Sequence, residues 1–523
     1  ELNETLELSG AKLKDGHAEL PLYRAPTLDW ALSGQNGLRF SRDDAFRRIS
    51  RSFHAVKDSE YTPPQSLHSV LRKYQRDGYR WLRTLDGYGM GGILADDMGL
   101  GKTLQVLSYL LALKEGGQPL PSLIVCPASL VLNWEEECKK FTPQLTCVAM
   151  DGDARRWAEA DLVVTSYDLL RRDEDRYAEQ PFYACILDEA QAIKNHTTQK
   201  YKAVCQVRSQ VRFALTGTPV ENRLGELWSI FSFLMPGYLP PYKNFCARFE
   251  KPIVQEEDAN AVRRLNQLTG PFILRRMKAD VLRELPPKTE NVHRIELDTE
   301  QRKLYLAAVV DAREKLRAAK PEDKMAVFAV LMRLRQICCD PRLVADNWSG
   351  GSAKLDACME LVTAAVEGGH RILLFSQFTS MLDLLAQRLD EAGVSHFTLQ
   401  GSTPKPVRAE LVRRFNAGEA SVFLISLRAG GTGLNLTAAD IVIHYDPWWN
   451  VAAQNQATDR AYRIGQKNPV QVYKLIAQDT IEEKIVELQQ AKQSLADTVT
   501  GSADGAILSM KPEELLQLLG EEA

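Results

Sequence analysis

Residues Gly91-Gly-Ile-Leu-Ala-Asp-Asp-Met-Gly-Leu-Gly-Lys102-Thr103 run from a short apolar strand into a glycine-rich turn that closes on Lys-Thr. A turn of this kind binds phosphate. Gly99 and Gly101 let the backbone take conformations closed to residues with a Cβ, so successive amide N–H groups can point inward at phosphate oxygens. A helix starting after them adds its positive end, Lys102 reaches the β- and γ-phosphates, and the Thr103 hydroxyl ligates Mg²⁺. The strict phosphate-loop pattern has Gly where this chain has Asp96.

A second group, Ile186-Leu187-Asp188-Glu189-Ala190-Gln191, ends another apolar run. At the carboxyl edge of a parallel sheet these side chains face the same crevice as the phosphate loop. Asp188 can then hold Mg²⁺ through water, and Glu189 can orient or deprotonate an attacking water. The third group is Gln456-Ala-Thr-Asp-Arg460-Ala-Tyr-Arg463-Ile-Gly-Gln466. Residues three apart on a helix share a face, so Arg460 and Arg463 are expected to point together into a cleft between two lobes and offset charge on a transferring phosphoryl group.

Parallel strands alternating with helices must carry these groups. Ser122-Leu-Ile-Val-Cys-Pro, Asp161-Leu-Val-Val-Thr-Ser, Tyr183-Ala-Cys-Ile-Leu and Val211-Arg-Phe-Ala-Leu-Thr read as buried strands of one sheet. Arg371-Ile-Leu-Leu-Phe-Ser, His396-Phe-Thr-Leu-Gln, Ser421-Val-Phe-Leu-Ile-Ser, Asp440-Ile-Val-Ile-His-Tyr and Val470-Gln-Val-Tyr-Lys-Leu-Ile make a second. Between them, Val327, Val330, Leu331, Leu334 and Ile337 have helical spacing. Upstream, Leu71, Tyr74, Gly78, Trp81 and Leu82 share one helical face and leave Gln75 off it, either solvated or reading an adenine edge. The expected class is α/β: an adjunct or connector at 1–65, a nucleotide-binding lobe at 66–240, a helical insertion and brace at 241–350, a second lobe at 351–495 and a tail at 496–523. Thr480-Ile-Glu-Glu483 has capping-box spacing for a helix closing the second lobe, and the last dozen residues read as a loosely packed amphipathic tail rather than a docking piece.

At 523 residues, with 45% hydrophobic and 25% charged residues, the chain is long enough for two or more globular domains. No apolar run approaches the ~18–20 residues that cross a bilayer, and no secretory signal opens the chain. The chain starts at Glu1 rather than Met and is expected to be a fragment. Nine cysteines form no CxxC pair or zinc spacing and read as buried thiols of a reducing compartment. A net charge of −3 excludes a generally polybasic surface, so nucleic acid would have to be held by local clusters.

The sequence resembles the Swi/Snf-type translocases of the superfamily 2 helicase-like ATPases. The blocks that carry the resemblance run from Leu71-Arg-Lys-Tyr-Gln75 through DDMGLGKT, IVCPASLVLNW, VVTSYDLL, DEAQAIKN, LTGTPVENRL, FILRRMKADV, ILLFSQFT, LQGSTPKPVR, SLRAGGTGLNL, DPWWN and QATDRAYRIGQ to DTIEEKI, most of residues 67–492. The resemblance implies two RecA-like lobes and a monomeric motor that uses ATP and Mg²⁺ to move along double-stranded DNA without separating its strands. It implies that Gln75, Asp97, Met98, Gly99, Gly101, Lys102, Thr103, Gly431 and Gln456 bind nucleotide, and that Thr103 and Asp188 hold the metal. Lys102, Asp188, Glu189, Arg460 and Arg463 would be catalytic, and Thr216, Gly217 and Thr218 would couple nucleotide state to lobe motion. Asn133, Trp134, Ser402, Thr403, Ser426, Arg428, Gly430, Gly431, Trp448 and Asn450 match positions that grip DNA, with little sequence reading expected.

Gln191 departs from the usual His of the Asp-Glu-Ala-His box, and Thr432 and Val451 are also atypical. Trp448-Trp449 fits packing at least as well as base stacking, because duplex bases are already stacked. Rival readings are a strand-separating helicase, an ATPase that recycles RNA polymerase, and a nucleotide-gated binding module with negligible turnover. The protein partner is left open, RNA polymerase or another nucleoprotein included. The compact insertions point to a prokaryotic source and a cytoplasmic, nucleoid-associated location, or a nuclear one if the source is eukaryotic.

Overall fold

A computed structural model of the chain describes residues 12–14, 17–19, 22–33, 41–54, 59–150, 160–217, 224–256, 258–282, 286–318, 324–345, 347–427, 434–448, 451–487, 489 and 512–520. The chain divides into two units, Glu1–Leu282 and Arg283–Ala523.

The first unit opens with a small hairpin of β1 (Lys12–Lys14) and β2 (His17–Glu19), followed by helices Ala25–Ser33 and Asp44–His54. These helices are pinned to the lobe by Tyr238, whose hydroxyl lies 2.6 Å from Thr27 Oγ1, and by Phe53, whose ring meets Phe272 edge-on at 5.9 Å. The main sheet has seven strands: β3 (Gly92–Leu94), β4 (Ser122–Cys126), β5 (Cys147–Ala149), β6 (Leu162–Ser166), β7 (Phe182–Leu187), β8 (Ser209–Leu215) and β9 (Ile273–Leu274). Their order is β5-β6-β4-β7-β8-β3-β9, and every pairing is parallel. All five residues of β4 and of β6 are buried, which is why their sequences are continuous apolar runs rather than alternating ones. The edge strands β5 and β9 are short and half-buried, so no apolar run announced them.

The second unit holds six parallel strands: β10 (Lys288–Ile295), β11 (Ile372–Ser376), β12 (His396–Leu399), β13 (Val422–Ser426), β14 (Ile441–His444) and β15 (Val470–Ala477), in the order β10-β15-β14-β11-β13-β12. Five of these strands are the expected runs, four of them internal and β12 at the far edge. β10 is not one of them: seven of its eight residues are exposed, and a charged edge strand has no hydrophobic signature. It is stitched to β15 by Glu290, which takes Lys474 of β15 at 2.8 Å and also pairs with Lys288 of its own strand at 2.7 Å.

Of the helices in the stretch 241–350, those through Val281 fall in the first unit and Thr299–Ala318 and Lys324–Cys339 in the second. One expectation is corrected. The final helix, Pro512–Leu518, is packed rather than loose: Leu515 is fully buried among Tyr305, Leu316 and Val327, and the Arg313 guanidinium donates to the Leu519 carbonyl. Among the described residues of the second unit, two ion pairs have both side chains fully buried, Lys354–Glu482 and Arg335–Asp446.

Candidate functional site

Because β3, β8 and β7 are neighbouring parallel strands, with Leu94 opposite Leu215 and Ala214 opposite Leu187, their carboxyl ends leave the sheet at one edge. Residues 95–102, Thr216 and Asp188 therefore meet there, as the topology of an open α/β sheet requires. Gly99 (φ 84°) and Gly101 (φ 74°) both have the left-handed backbone the motif demands, and Gly101 caps helix Lys102–Glu115. A methyl group on Gly101 would lie 2.5 Å from Gln75 Nε2. Lys102 Nζ donates to the Asp96 carbonyl at 2.6 Å, and Thr103 is half-buried on the first turn of the helix.

Helix Lys73–Gly87 braces this loop. The Tyr74 hydroxyl and Gln75 Nε2 both donate to the Leu100 carbonyl, at 3.0 and 3.1 Å. Gln75 is buried, not off the packed face as its spacing suggested, and its Oε1 accepts the Arg72 amide at 2.9 Å. The reason is the cap: a side chain at the third helical position turns back over the helix start instead of pointing outward. Asp97 is engaged as well, accepting the Lys278 amide at 2.9 Å, while Met98 is half-buried.

Asp188 is enclosed. Its Oδ2 accepts the Trp134 indole N–H at 2.8 Å, its Oδ1 accepts the Glu189 amide at 2.9 Å, and its backbone carbonyl accepts the Tyr167 hydroxyl at 2.9 Å. Burial, then the neighbouring Glu189 charge, push its carboxyl up to about 7, with the Trp134 hydrogen bond and Lys102 pulling the other way. Glu189 sits at φ 49°, a left-handed conformation that strains a residue with a Cβ. Gln191 Nε2 donates to Glu189 Oε2 at 2.7 Å, and Gln191 Oε1 accepts the Thr216 hydroxyl at 3.1 Å. One neutral amide thus joins the acidic residue to the strand end after β8. Thr103 and Asp188 supply hard oxygen donors, and a carboxyl whose negative charge is so disfavoured is one that Mg²⁺ would neutralise. No cluster of three or more His, Cys, Asp or Glu fit for a metal exists among the described residues.

Trp134 was expected to touch DNA. It is 1% exposed and bonded to Asp188, so its side chain serves the acidic site instead. Neither Trp134 nor Tyr167 is marked as a site residue by type or spacing. Only the adjacency of β4, β6 and β7 brings the segments that follow them together. Asn133, one residue earlier on helix Val131–Phe141, is half-exposed and donates to Glu137 at 3.4 Å.

In the second unit the arginines are not on one helix. Helix Val451–Thr458 ends before them, and Arg460 and Arg463 occupy the turns that follow. Thr458 lies 2.9 Å from the His444 ring, and the Arg460 carbonyl accepts the Leu436 amide at 3.1 Å, so tertiary bonds redirect the chain there. Arg460 is fully buried, whereas Arg463 and Gln456 are half-buried. Gln466 anchors the segment by donating to the Ala439 carbonyl at 2.7 Å. Ser426, expected at a DNA surface, is buried at the end of β13. Ser402 is exposed, and Thr403 closes a turn by accepting the Gln400 amide at 3.0 Å. Trp448 packs against the core of Phe375, Phe423 and Val442, in line with a packing role. Thr218, Arg428, Gly430, Gly431, Thr432, Trp449 and Asn450 lie outside the described residues.

The SNF2-related domain matches residues 74–343, and the helicase conserved C-terminal domain matches residues 353–465. An uncharacterized ATP-dependent helicase of Mycoplasma genitalium is 39% identical over 459 residues, 86% of this chain and 44% of its own length. SWI/SNF-related matrix-associated actin-dependent regulator of chromatin subfamily A member 1 of Mus musculus is 36% identical over 487 residues, 88% of this chain and 46% of its own. The chain therefore spans less than half of either relative. Among solved structures, the Sulfolobus solfataricus SWI2/SNF2 ATPase core in complex with double-stranded DNA is 36% identical, with a TM-score of 0.43, covering 87% of this chain and 97% of that one. With its glycine loop, its Asp-Glu box and a family match over more than half of its residues, this chain belongs to the SNF2-related family.

Proposed function

We propose that the chain is the motor core of an ATP-dependent translocase that moves along double-stranded DNA. The observation that supports this most is the convergence of Lys102, Thr103, Asp188, Glu189 and Thr216 on one sheet edge, all but Thr103 held by a named bond or backbone constraint. In this reading Lys102 and the amides after Gly99 hold the phosphates. The second hydrogen of Gln75 Nε2 and the second lone pair of its Oε1 are what an adenine edge would use. Thr103 and Asp188 hold Mg²⁺, which shields phosphate charge when bound. Glu189 orients the water, and the Gln191 amide reports its position to Thr216. Arg460 and Arg463 of the second unit are assigned to the charge on the transferring phosphoryl group. Asn133, Ser402, Thr403, Arg428 and Asn450 are assigned to the DNA backbone.

The test is phosphate release with and without blunt duplex DNA. Stimulation by duplex is expected, with strong sensitivity to salt. Glu189→Gln should lower turnover by about 10²–10⁴-fold while leaving nucleotide bound. A rate indifferent to duplex DNA and to Glu189→Gln would remove the enzyme reading in favour of a nucleotide-gated binding module. Robust displacement of one strand from a forked duplex would instead favour a helicase.

A further inference from the structure

Asp96, which stands where the strict phosphate-loop pattern has Gly, is fully buried and has a partner from far along the chain. The Arg276 guanidinium grips it with two nitrogens, Nε to Oδ1 at 2.8 Å and Nη2 to Oδ2. The same guanidinium donates to Gln105 Oε1 at 2.8 Å and to the Tyr74 carbonyl, and Gln105 Nε2 returns to Asp96 Oδ2 at 3.1 Å. Gly78 leaves room for this cluster: a methyl there would lie 1.8 Å from Gln105 Oε1 and 2.8 Å from Arg276 Nη2.

The backbone repeats the tie. Ile93 pairs with Ile273 and Leu94 with Leu274, the Ala95 amide donates to the Leu274 carbonyl at 2.7 Å, and the Asp97 amide to the Arg276 carbonyl at 3.0 Å. Asp97 Oδ2 then takes the Lys278 amide at 2.9 Å. Residues 93–97 and 273–278 are thus bound side by side, and six residues after Arg276 the first unit ends at Leu282. The lysine of the loop bears on the same point, because Lys102 Nζ donates to the carbonyl of Asp96 itself. A phosphate that draws the Lys102 ammonium to its own oxygens takes a bond from the peptide whose side chain holds Arg276.

We propose that the Asp96–Arg276 grip carries nucleotide occupancy from the phosphate loop into segment 273–282, by which the chain leaves the first unit. The proposal rests on the nucleotide reading of residues 95–103. It accounts for an acidic residue where the strict pattern has glycine: a glycine could bind phosphate but could not hold the guanidinium. A bidentate arginine–carboxylate pair transmits a change of position because its planar geometry tolerates little rotation.

Amide hydrogen exchange with and without ADP tests this, alongside the affinity for a fluorescent ADP. In the unaltered chain ADP should slow exchange in both 95–103 and 273–282, by about fivefold or more. Asp96→Asn keeps the shape and removes the charge. It should bind ADP within about threefold of the unaltered chain and retain protection of 95–103, but lose the ADP-dependent protection of 273–282. A merely structural role would instead loosen 273–282 equally with and without ADP. If Asp96→Asn does not fold, Arg276→Lys keeps the charge and loses the two-pronged grip, and the same selective loss is expected. ADP-dependent protection of 273–282 that is absent in the unaltered chain, or unchanged in the variant that folds, overturns the proposal while leaving the nucleotide reading intact. Failure of the unaltered chain to bind ADP overturns both.

Discussion

Asp188 shows how much of a site lies in the residues around the reactive one. A carboxyl removed from water and set beside Glu189 would hold its proton, and the Trp134 indole and Lys102 partly reverse that. A hydrogen bond to a charged group contributes about 1.5–3 kcal/mol, roughly one to two decades in an equilibrium. Trp134→Phe keeps the buried ring and removes the donor. The Mg²⁺ concentration for half-maximal phosphate release should therefore rise about tenfold, with ADP affinity unchanged in the absence of metal. An unchanged Mg²⁺ requirement would leave Trp134 as packing alone. Gln191 makes a related point. Its amide donates to Glu189 and accepts from Thr216 at once, and it does so in a single uncharged form, whereas a histidine would need one particular tautomer to do both.

At the scale of elements, parallel pairing turns separate motifs into one edge, and buried charge fixes how the helices of the second unit attach. Lys354, on helix Ala353–Glu367, and Glu482, on the helix over 481–487, pair with both side chains fully buried. Glu482 also accepts the Ala477 amide at 2.9 Å, which ties its helix to the end of β15. Removing one partner strands the other charge, so Lys354→Met should cost about 3–5 kcal/mol in urea unfolding. Lys354→Met combined with Glu482→Leu should recover most of that loss. A double variant as unstable as the single would show that the Ala477 contact, not the ion pair, matters most. Edge strands behave differently: β10 is held by backbone pairing and by the Glu290–Lys474 pair with β15, not by an apolar face.

For the molecule as a whole, acid should be destabilising through His444. Its imidazole is fully buried beneath Lys474 and Lys288, with only Glu290 opposing them, and burial pushes it down to about 3. The unfolded chain takes up that proton near pH 6.5 and the folded one does not, so stability is lost as pH falls from about 6.5 toward 3. At pH 5 the loss from this group is roughly 2 kcal/mol, and His444→Gln should be spared it in urea titrations compared between pH 7.5 and 5. Asp188 has the opposite sign, since a carboxyl raised toward 7 weighs against the folded state as pH rises, and it is common to both proteins compared. Turnover is the other whole-molecule property. Arg463→Ala should leave ADP binding to the first unit intact and reduce phosphate release by about 10³-fold or more. Equal loss of binding and turnover would remove Arg463 from the reaction.

Composition and local pattern alone determined the two parallel sheets, the glycine loop and the Asp-Glu box, because buried strands must be apolar throughout and a phosphate turn needs glycine at particular positions. The sheet order puts Asp188 at the edge it shares with the loop, and brings Thr216 there as well. Other features were decided only in three dimensions. The charged strand β10, the helix end before Arg460, the burial of Ser426, and the pairing of Trp134 with Asp188 all depend on partners distant in the chain. Asp96 is the sharpest case. Read locally it is a departure from a motif, and 180 residues later Arg276 supplies the reason for it.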